Sequence, residues 1–363
     1  MQFLSNLFLP FLDWIQIEIT SHCNAECVYC PHCVFKQSWH AAHMPLEVFK
    51  ALAPAFRRTN LVYLQGWGEP LLHPQFFEML RIAKVCGAQV GTTTNGMLCD
   101  AKTAERMVMG GLDIVGFSLA GTDESQDKVR RLTRIGNVLQ AIRRIDDIKK
   151  SCGAYTPEVH VAYIWLRSQI NALKGLPALL EGTGVSQVVV TTLDFVPHPD
   201  LATETLHARD QDEEMFLRRM ISEVGEEGKE RGLEIFFRLV ERYKQPRACT
   251  ENVTKSLFIS SLGFVSPCVF RNLPIVQGSG SGALEGAVSP TLRYGNINDR
   301  SLPQIWRERS YRAFRRDHTK GRATRYCGDC PKLFCSTYAF RLPATCSPQN
   351  WGFAWFGKGT PTA

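Results

Sequence analysis

Apolar runs alternate with amphipathic segments along the first two-thirds of the chain. Strand-like runs are predicted at residues 14–20, 61–65, 89–94, 113–119, 158–165 and 185–192. Helix-like segments are predicted at residues 46–57, 74–85, 100–109, 137–149, 171–181 and 210–230. This alternation predicts a parallel sheet of right-handed βαβ units, and six units predict an open, partial barrel instead of a closed one of eight strands.

The alternation ends after a short strand-like LEIFF segment that follows Gly232, and six cysteines are found beyond it. The chain is therefore predicted to have four parts. They are an N-terminal packing segment (1–13), a barrel core (14–232), a small cysteine-rich α+β extension (233–346) and a C-terminal tail (347–363). The Gly/Ser-rich stretch between Val276 and Leu292 is predicted to form a surface loop or lid.

Composition favours a folded cytoplasmic protein. The chain has 363 residues, of which 44% are hydrophobic and 21% charged, enough for a large core. The apolar N-terminus is broken by Pro10 and is too short to span a bilayer, and it does not have the pattern of a signal peptide. Net charge is +7, with much of the basic excess at residues 300–325. A nucleic acid partner is not favoured, since no aromatic-interleaved recognition motif accompanies this excess.

Three cysteines follow the first predicted strand in the string CNAECVYC. Cys23, Cys27 and Cys30 are separated by three and two residues. Thiolates bind iron-sulfur clusters, and a closed site usually takes four of them, so three from one loop would leave one iron open. Cys33 is a candidate fourth ligand, although Pro31 stiffens the loop before it. A zinc site or a set of buried free thiols would also account for cysteines in this loop.

With Tyr29 before its last cysteine, this string resembles the signature of the radical S-adenosylmethionine (SAM) enzymes. The resemblance implies a partial (β/α)6 barrel and a 4Fe-4S cluster whose open iron binds the amino and carboxylate groups of SAM. It also implies reductive cleavage of SAM to a 5′-deoxyadenosyl radical, which abstracts hydrogen from a substrate. The cofactor would supply the chemistry, and the protein would position it and exclude water.

Further segments resemble parts of the same family. GWGEP resembles the Gly-Gly-Glu-Pro segment that meets the SAM amino group, with Trp67 as the departure from the pattern. Asn95 ends a predicted strand, where polar side chains point into the top of a barrel. The cofactor-binding residues that the resemblance implies are Tyr29, Gly66, Gly68, Glu69, Pro70, Asn95, Ser118 and Arg130.

Ser118 and Arg130 match the positions that approach the SAM carboxylate. Arginine suits this task because its planar fork donates two parallel hydrogen bonds to a carboxylate. Arg131 and Arg134 are rival candidates for the same role.

The late cysteines resemble the SPASM or twitch extension of radical SAM enzymes, which binds one or two auxiliary clusters. The twitch pattern implies one further 4Fe-4S cluster on Cys249, Cys268, Cys327 and Cys330. A second possible set replaces the first two of these residues with Cys335 and Cys346.

The resemblance predicts a radical SAM oxidoreductase or maturase in which an auxiliary cluster assists electron transfer. The alternative is a non-catalytic iron-sulfur electron carrier or redox sensor, which would not need the GWGEP, TTNG and Ser118 elements. The expected partners are a small-molecule or peptide substrate and a reducing protein such as flavodoxin or ferredoxin. The early position of Cys23 leaves no room for a leader-binding domain, which favours a small molecule or a separately delivered peptide.

No catalytic residue beyond the cluster is assigned. The candidates for an acid or base on the substrate side are His160, Asp194 and His198.

Overall fold

The fold is an α/β partial barrel whose sheet continues into a small C-terminal extension. The computed structural model describes residues 9–240, 249–275, 291–322, 326–328 and 330–341. The Gly/Ser-rich stretch, Cys346 and the predicted tail lie outside the described residues.

Thirteen strands are assigned in the described part of the chain. They are β1 (Leu12–Ile17), β2 (Glu26–Cys27), β3 (Thr59–Leu64), β4 (Gln89–Thr94), β5 (Ile114–Leu119), β6 (Arg130–Arg131), β7 (Glu158–Trp165), β8 (Val185–Thr192), β9 (Glu234–Val240), β10 (Ser256–Ile259), β11 (Phe264–Ser266), β12 (Gly295–Asn296) and β13 (Cys335–Phe340). The large sheet has the order β12-β11-β10-β1-β3-β4-β5-β7-β8-β9-β13, and β2 pairs with β6 separately.

Every pairing in the large sheet from β10 through β9 is parallel, and antiparallel strands follow on both sides. β9 continues the parallel sheet beside β8, so the predicted division at residue 232 falls inside one sheet. β10 pairs with β1 at the opposite edge. The extension therefore adds strands to both edges of the barrel.

Most α-helices lie in the barrel part of the chain, and two lie in the extension. They are α1 (Pro31–Val34), α2 (Leu46–Lys50), α3 (Ala53–Phe56), α4 (Phe76–Val85), α5 (Ala101–Met109), α6 (Ser125–Val129), α7 (Ile135–Cys152), α8 (Leu176–Leu180), α9 (Gln211–Glu230), α10 (Leu302–Trp306) and α11 (Arg309–Thr319). Short 3-10 helices lie at Pro70–Leu72, Arg167–Gly175, Pro199–Glu204, Val269–Arg271 and Pro331–Leu333.

Two predicted helices differ from the structure, and proline explains both. The segment predicted at 46–57 is divided into α2 and α3, with Pro54 in the first turn of α3. Proline lacks an N–H donor and clashes with the preceding turn, so it is tolerated in a first turn and not inside a helix. In the segment predicted at 171–181, residues 171–175 are 3-10, and the α-helix α8 begins only at Leu176, just before Pro177.

The two faces of the sheet pack differently. Ile15, Val62 and Phe117 belong to the main core that the helices cover. On the inner face, Trp14 and Tyr63 belong to a smaller cluster, and the Tyr63 hydroxyl lies 2.8 Å from that of Thr93. This alternation is the period of two expected of strands with both faces buried.

Gly91→Val should destabilise the barrel. Gly91 lies beside Tyr63 in the sheet, and a Cβ there would be 2.5 Å from the Tyr63 ring. Overpacking of this kind costs about 1–3 kcal/mol of unfolding free energy. Urea unfolding followed by circular dichroism should show this loss. Gly136→Ala in α7 is the control, because an added Cβ there meets nothing within 4 Å, and equal stability of the two variants would contradict the assignment.

Candidate active site

The three-cysteine loop follows β1 and is anchored by the β2–β6 ribbon. Within this ribbon, Cys27 lies opposite Arg130. The Cys30 N–H donates to the Cys27 carbonyl at 3.0 Å, which folds the loop back on itself. Cys27 is buried, whereas Cys23 and Cys30 are half-buried.

The buried environment of these thiols disfavours the thiolate form unless a metal is bound. Burial raises the pKa of Cys23 to about 12. Burial also raises the pKa of Cys30, and the charges of Cys27 and Cys23 raise it further. Thiols of this kind become thiolates when a bound metal compensates their charge, so the donor set fits an iron-sulfur cluster.

Cys33 has a different environment. It lies in α1. Burial and the charge of Glu26 raise its pKa, although the charges of Arg131 and Lys36 oppose this shift. Lys36 and Glu26 form an exposed ion pair of 2.6 Å. Cys33 therefore lies among charged side chains at the edge of the loop.

Arg130 is buried against the cysteine loop. Its Nη1 donates to the Tyr29 hydroxyl at 2.6 Å. Burial alone would lower the pKa of its guanidinium, but the charges of Cys27 and Tyr29 raise that pKa above its usual range. Its buried Nε has no hydrogen-bond partner among the described residues, and such an orphaned cationic donor fits a carboxylate ligand. The rival candidates Arg131 and Arg134 are both exposed.

The segment after β3 approaches the cysteine loop closely. A Cβ at Gly68 would lie 2.4 Å from the carbonyl oxygen of Thr20 and 2.5 Å from that of His22. The Glu69 N–H donates to the same His22 carbonyl at 2.8 Å. Only glycine fits at position 68, because the backbone of the GWGEP segment lies directly against the backbone of the loop.

Glu69 is buried and joins its own segment, after β3, to the end of β4. Its carboxylate accepts hydrogen bonds from the Thr94 hydroxyl at 2.7 Å, the Asn95 N–H at 2.7 Å and the Leu71 N–H at 3.2 Å. Burial raises the pKa of this carboxyl, although the three bonds oppose the shift. Pro70, the next residue, is buried and begins a 3-10 helix.

Asn95 connects this hydrogen-bond network to the cysteine loop. Its Nδ2 donates to Oδ1 of Asn24 at 2.8 Å, and Asn24 is the residue after Cys23. Ser118 lies at the carboxyl end of β5, half-buried, and in register with Ala162 of β7. The predicted cofactor-binding positions therefore lie on elements at the carboxyl edge of the sheet.

Glu18 connects the barrel edge to the extension. This fully buried carboxylate, just after β1, accepts from the Trp67 N–H at 3.0 Å and from the Ser261 N–H and hydroxyl at 3.2 Å. Burial raises its pKa to about 7. Gly66 is required beside it, because a Cβ there would lie 2.3 Å from the Glu18 side chain.

Four late cysteines form a second group. Burial raises the pKa of Cys268, and the charges of Glu251, Cys249, Cys330 and Cys327 raise it further. Burial also raises the pKa of Cys249, and the charges of Glu251, Cys330 and Cys327 raise it further. The Cys330 N–H donates to the Cys327 carbonyl at 2.9 Å, the same turn that joins Cys27 and Cys30.

Cys335 has different neighbours. Burial raises its pKa to about 12, and the charges that act on it are those of Asp194, Lys332, Arg238 and Glu251. Cys346, its predicted companion in the second possible ligand set, lies outside the described residues.

A buried ion cluster lies beside the late cysteines. The Lys332 ammonium is 2.8 Å from Asp194 Oδ2 and 3.3 Å from Glu251 Oε1. Lys332 follows Cys330 by two residues, Glu251 follows Cys249 by two, and Asp194 lies just beyond β8. Sequence patterns alone did not indicate the roles of Lys332, Glu251 and Glu18. For Glu18, a charged residue in the apolar WIQIEIT run was the available signal.

Three aromatic rings from distant segments meet beside this ion cluster. Trp67 lies 5.6 Å from Phe195 and 6.0 Å from Phe270 between ring centroids, and the last two rings are stacked at 6.0 Å. The Trp67 indole also donates to the Asn272 carbonyl at 3.1 Å. Trp67, the departure from the family pattern, is thus in contact with the extension.

The candidates for an acid or base are spread over the molecule. His160 is buried near the beginning of β7, away from the carboxyl edge, and lies 3.2 Å from Glu158. His198 caps a short 3-10 helix. Of the three, Asp194 alone contacts the ion cluster beside the late cysteines, and Lys332 neutralises it.

Other kinds of site find no support in the part of the chain that the structure describes. There, no three His, Cys, Asp or Glu side chains converge tightly enough to hold a single metal ion. No helix within the described ranges is long and apolar enough to cross a membrane.

Comparison with known families agrees with this geometry. The radical SAM superfamily model matches residues 17–156, and the model of SPASM, an iron-sulfur cluster-binding domain, matches residues 249–331. The chain belongs to the radical SAM superfamily, and it is a SAM-dependent enzyme. Within that class it is a radical SAM protein with a C-terminal SPASM domain, whose cofactors are SAM and 4Fe-4S clusters.

Individual relatives extend the comparison. The tungsten-containing aldehyde ferredoxin oxidoreductase cofactor-modifying protein of Pyrococcus furiosus is 28% identical over 88% of this chain and 87% of its own length. A GTP 3′,8-cyclase of Chlorobaculum tepidum is 29% identical over 54% of this chain and 58% of its own. Among solved structures, Streptococcus suis SuiB bound to S-adenosylmethionine aligns with a TM-score of 0.63 at 14% identity, covering 86% of this chain and 70% of SuiB.

Lys332→Met should destabilise the protein strongly. The change leaves the buried carboxylates of Asp194 and Glu251 without this cation, and breaking a buried pair costs about 3–5 kcal/mol of unfolding free energy. Urea unfolding of anaerobically reconstituted protein should reveal the loss. Lys36→Met is the matched control, because its pair with Glu26 is exposed and should leave stability nearly unchanged. Equal midpoints for both variants would refute the buried network.

Proposed function

We propose that the chain is a radical SAM oxidoreductase or maturase that abstracts hydrogen from a small molecule or a peptide. The observation that carries this proposal is the network around Glu69. It joins the GWGEP segment, the end of β4 and, through Asn95 and Asn24, the three-cysteine loop. A simple electron carrier would not need such a network around its cluster loop.

The proposed ligands of the SAM-binding cluster are Cys23, Cys27 and Cys30. When bound, this cluster would supply the electron that cleaves SAM to a 5′-deoxyadenosyl radical. Arg130 would donate its free Nε to the SAM carboxylate, and Ser118 would contribute a second donor from the end of β5. Tyr29 would orient the Arg130 guanidinium through their 2.6 Å hydrogen bond.

The GWGEP segment would form the other side of the SAM site. Gly68 brings its backbone against the cysteine loop, and Gly66 leaves room for Glu18. Glu69, Pro70 and Asn95 would then fix the backbone that meets the SAM amino group. These side chains act by position, since each one is committed to bonds or packing within the protein.

An auxiliary 4Fe-4S cluster on Cys249, Cys268, Cys327 and Cys330 would assist electron transfer. After burial, the charges of Cys327 and Cys330 help to raise the pKa of Cys249 and of Cys268, whereas no cysteine is among the groups that shift the pKa of Cys335. The grouping supports one auxiliary cluster on the four residues of the twitch pattern.

The substrate class favoured by the comparisons is a small molecule. The Pyrococcus furiosus relative, similar over most of both chains, is named for cofactor modification, and the partial relative from Chlorobaculum tepidum is a cyclase of GTP. A SuiB structure contains its precursor peptide, with a TM-score of 0.55 at 13% identity, so the fold also accommodates peptides. A reducing partner such as flavodoxin or ferredoxin and a cytoplasmic location belong to the same proposal.

Alanine in place of Cys23, Cys27 or Cys30 should abolish SAM cleavage, because each loses one of three cluster ligands. The measurement is 5′-deoxyadenosine formation from SAM under dithionite in anaerobically reconstituted protein. Cys152→Ala, at an exposed cysteine, is the control and should retain wild-type activity. Normal 5′-deoxyadenosine formation in any of the three loop variants would remove that residue from the ligand set.

Cys249→Ala or Cys330→Ala should lower the iron content by about one cluster and leave part of the SAM cleavage intact, because the loop cysteines are separate from this group. Iron analysis and 5′-deoxyadenosine assays measure the two effects. Cys335→Ala tests the second possible ligand set and should keep its iron. A loss of iron in Cys335→Ala without one in Cys249→Ala would favour that second set.

A further inference from the structure

The surface of α11 has a feature that the proposed chemistry does not use. Arg309, Arg312 and Arg316 follow one another at spacings of three and four, and Lys320 continues the line at the end of the helix. Residues at these spacings share one helix face. All four are exposed, and we call them the basic stripe.

The basic stripe is not neutralised by the rest of the described chain. None of its four side chains forms an ion pair with a described residue, and the one acid in α11, Asp317, forms none either. The long helix α9 shows the opposite arrangement, since Arg218 and Arg219 both pair with glutamates four residues away. Because the stripe has no such ion pairs, its positive charges are not compensated and produce a positive field at the surface. Like charges at spacings of three and four also destabilise the helix that carries them.

The opposite face of α11 packs towards the late cysteines. Tyr311 is fully buried there and stacks on Tyr294 at 4.1 Å between ring centroids. Tyr294, Tyr311 and Cys327 belong to the same buried core, and Cys268 packs against that core. An α-helix with its side chains is about 10–12 Å across, so α11 alone lies between the basic stripe and the buried face that carries Tyr311.

We propose that the basic stripe docks an acidic one-electron carrier protein of the ferredoxin class, which exchanges electrons with the auxiliary cluster across α11. This inference rests on the auxiliary cluster of the proposed function. In the reductive direction, one electron leaves the reduced carrier and enters the oxidised cluster, and no atom or proton is transferred. Charge complementarity favours an acidic carrier, because clustered charges steer association with a partner of opposite sign.

The test uses a purified acidic plant-type ferredoxin and anaerobically reconstituted protein. The variant Arg309→Glu, Arg312→Glu, Arg316→Glu should bind this ferredoxin about tenfold more weakly at low salt in calorimetry. Stopped-flow oxidation of reduced ferredoxin should slow by a similar factor. High salt should reduce both differences.

The matched control is Arg57→Glu, Lys102→Glu, Arg143→Glu. These residues are exposed, lie outside α11 and form no ion pair with a described residue, and the net charge changes equally. The control should bind ferredoxin like the wild type. Equal weakening of both triple variants would overturn the proposal, as would stripe-dependent binding of a single-stranded RNA oligonucleotide in place of ferredoxin.

Dithionite separates this proposal from the proposed function, because it reduces clusters without a docking protein. The stripe variant should retain wild-type iron content and dithionite-driven 5′-deoxyadenosine formation. Wild-type protein that forms no 5′-deoxyadenosine would refute the proposed function. Wild-type protein that forms it, with ferredoxin binding unaffected by the stripe substitutions, would refute the docking surface alone.

Discussion

The arrangement of the candidate site depends on the buried carboxylate of Glu69. It accepts three hydrogen bonds from groups that follow two adjacent strands, and so fixes the spacing between the ends of β3 and β4. A buried carboxylate is costly unless its oxygens are satisfied, and here each one has a partner. Because Asn95 then bonds to Asn24, this side chain also contributes to the position of the cysteine loop, together with the β2–β6 ribbon.

A second set of buried contacts fixes the extension to the barrel. Glu18 bonds to both Trp67 and Ser261, and Lys332 lies between Asp194 of the barrel edge and Glu251 of the extension. Charged groups with so little contact with water tolerate small displacements poorly, because a lost partner leaves a desolvated charge. These buried contacts therefore fix the position of the extension on the barrel.

Local pattern was sufficient for most of the barrel. The strands β7 and β8 have the predicted bounds, since buried β-branched runs are the strongest strand signal. The helix predicted at 46–57 was wrong at Pro54, because a proline inside a helical pattern ends the preceding helix. The partners of Glu18 could not be predicted, because its bond to Ser261 joins residues 243 apart and depends on β10 lying beside β1.

Trp67 shows how one departure from a family pattern changes the physics of a site. A glycine there would keep the backbone N–H bond to Glu18 and would form no side-chain contact with the extension. The indole instead donates to the Asn272 carbonyl and packs against Phe270, two residues from Cys268. A shift of the GWGEP backbone therefore has to displace the backbone beside the late cysteines. The indole therefore couples the GWGEP segment of the barrel to the cysteine group of the extension.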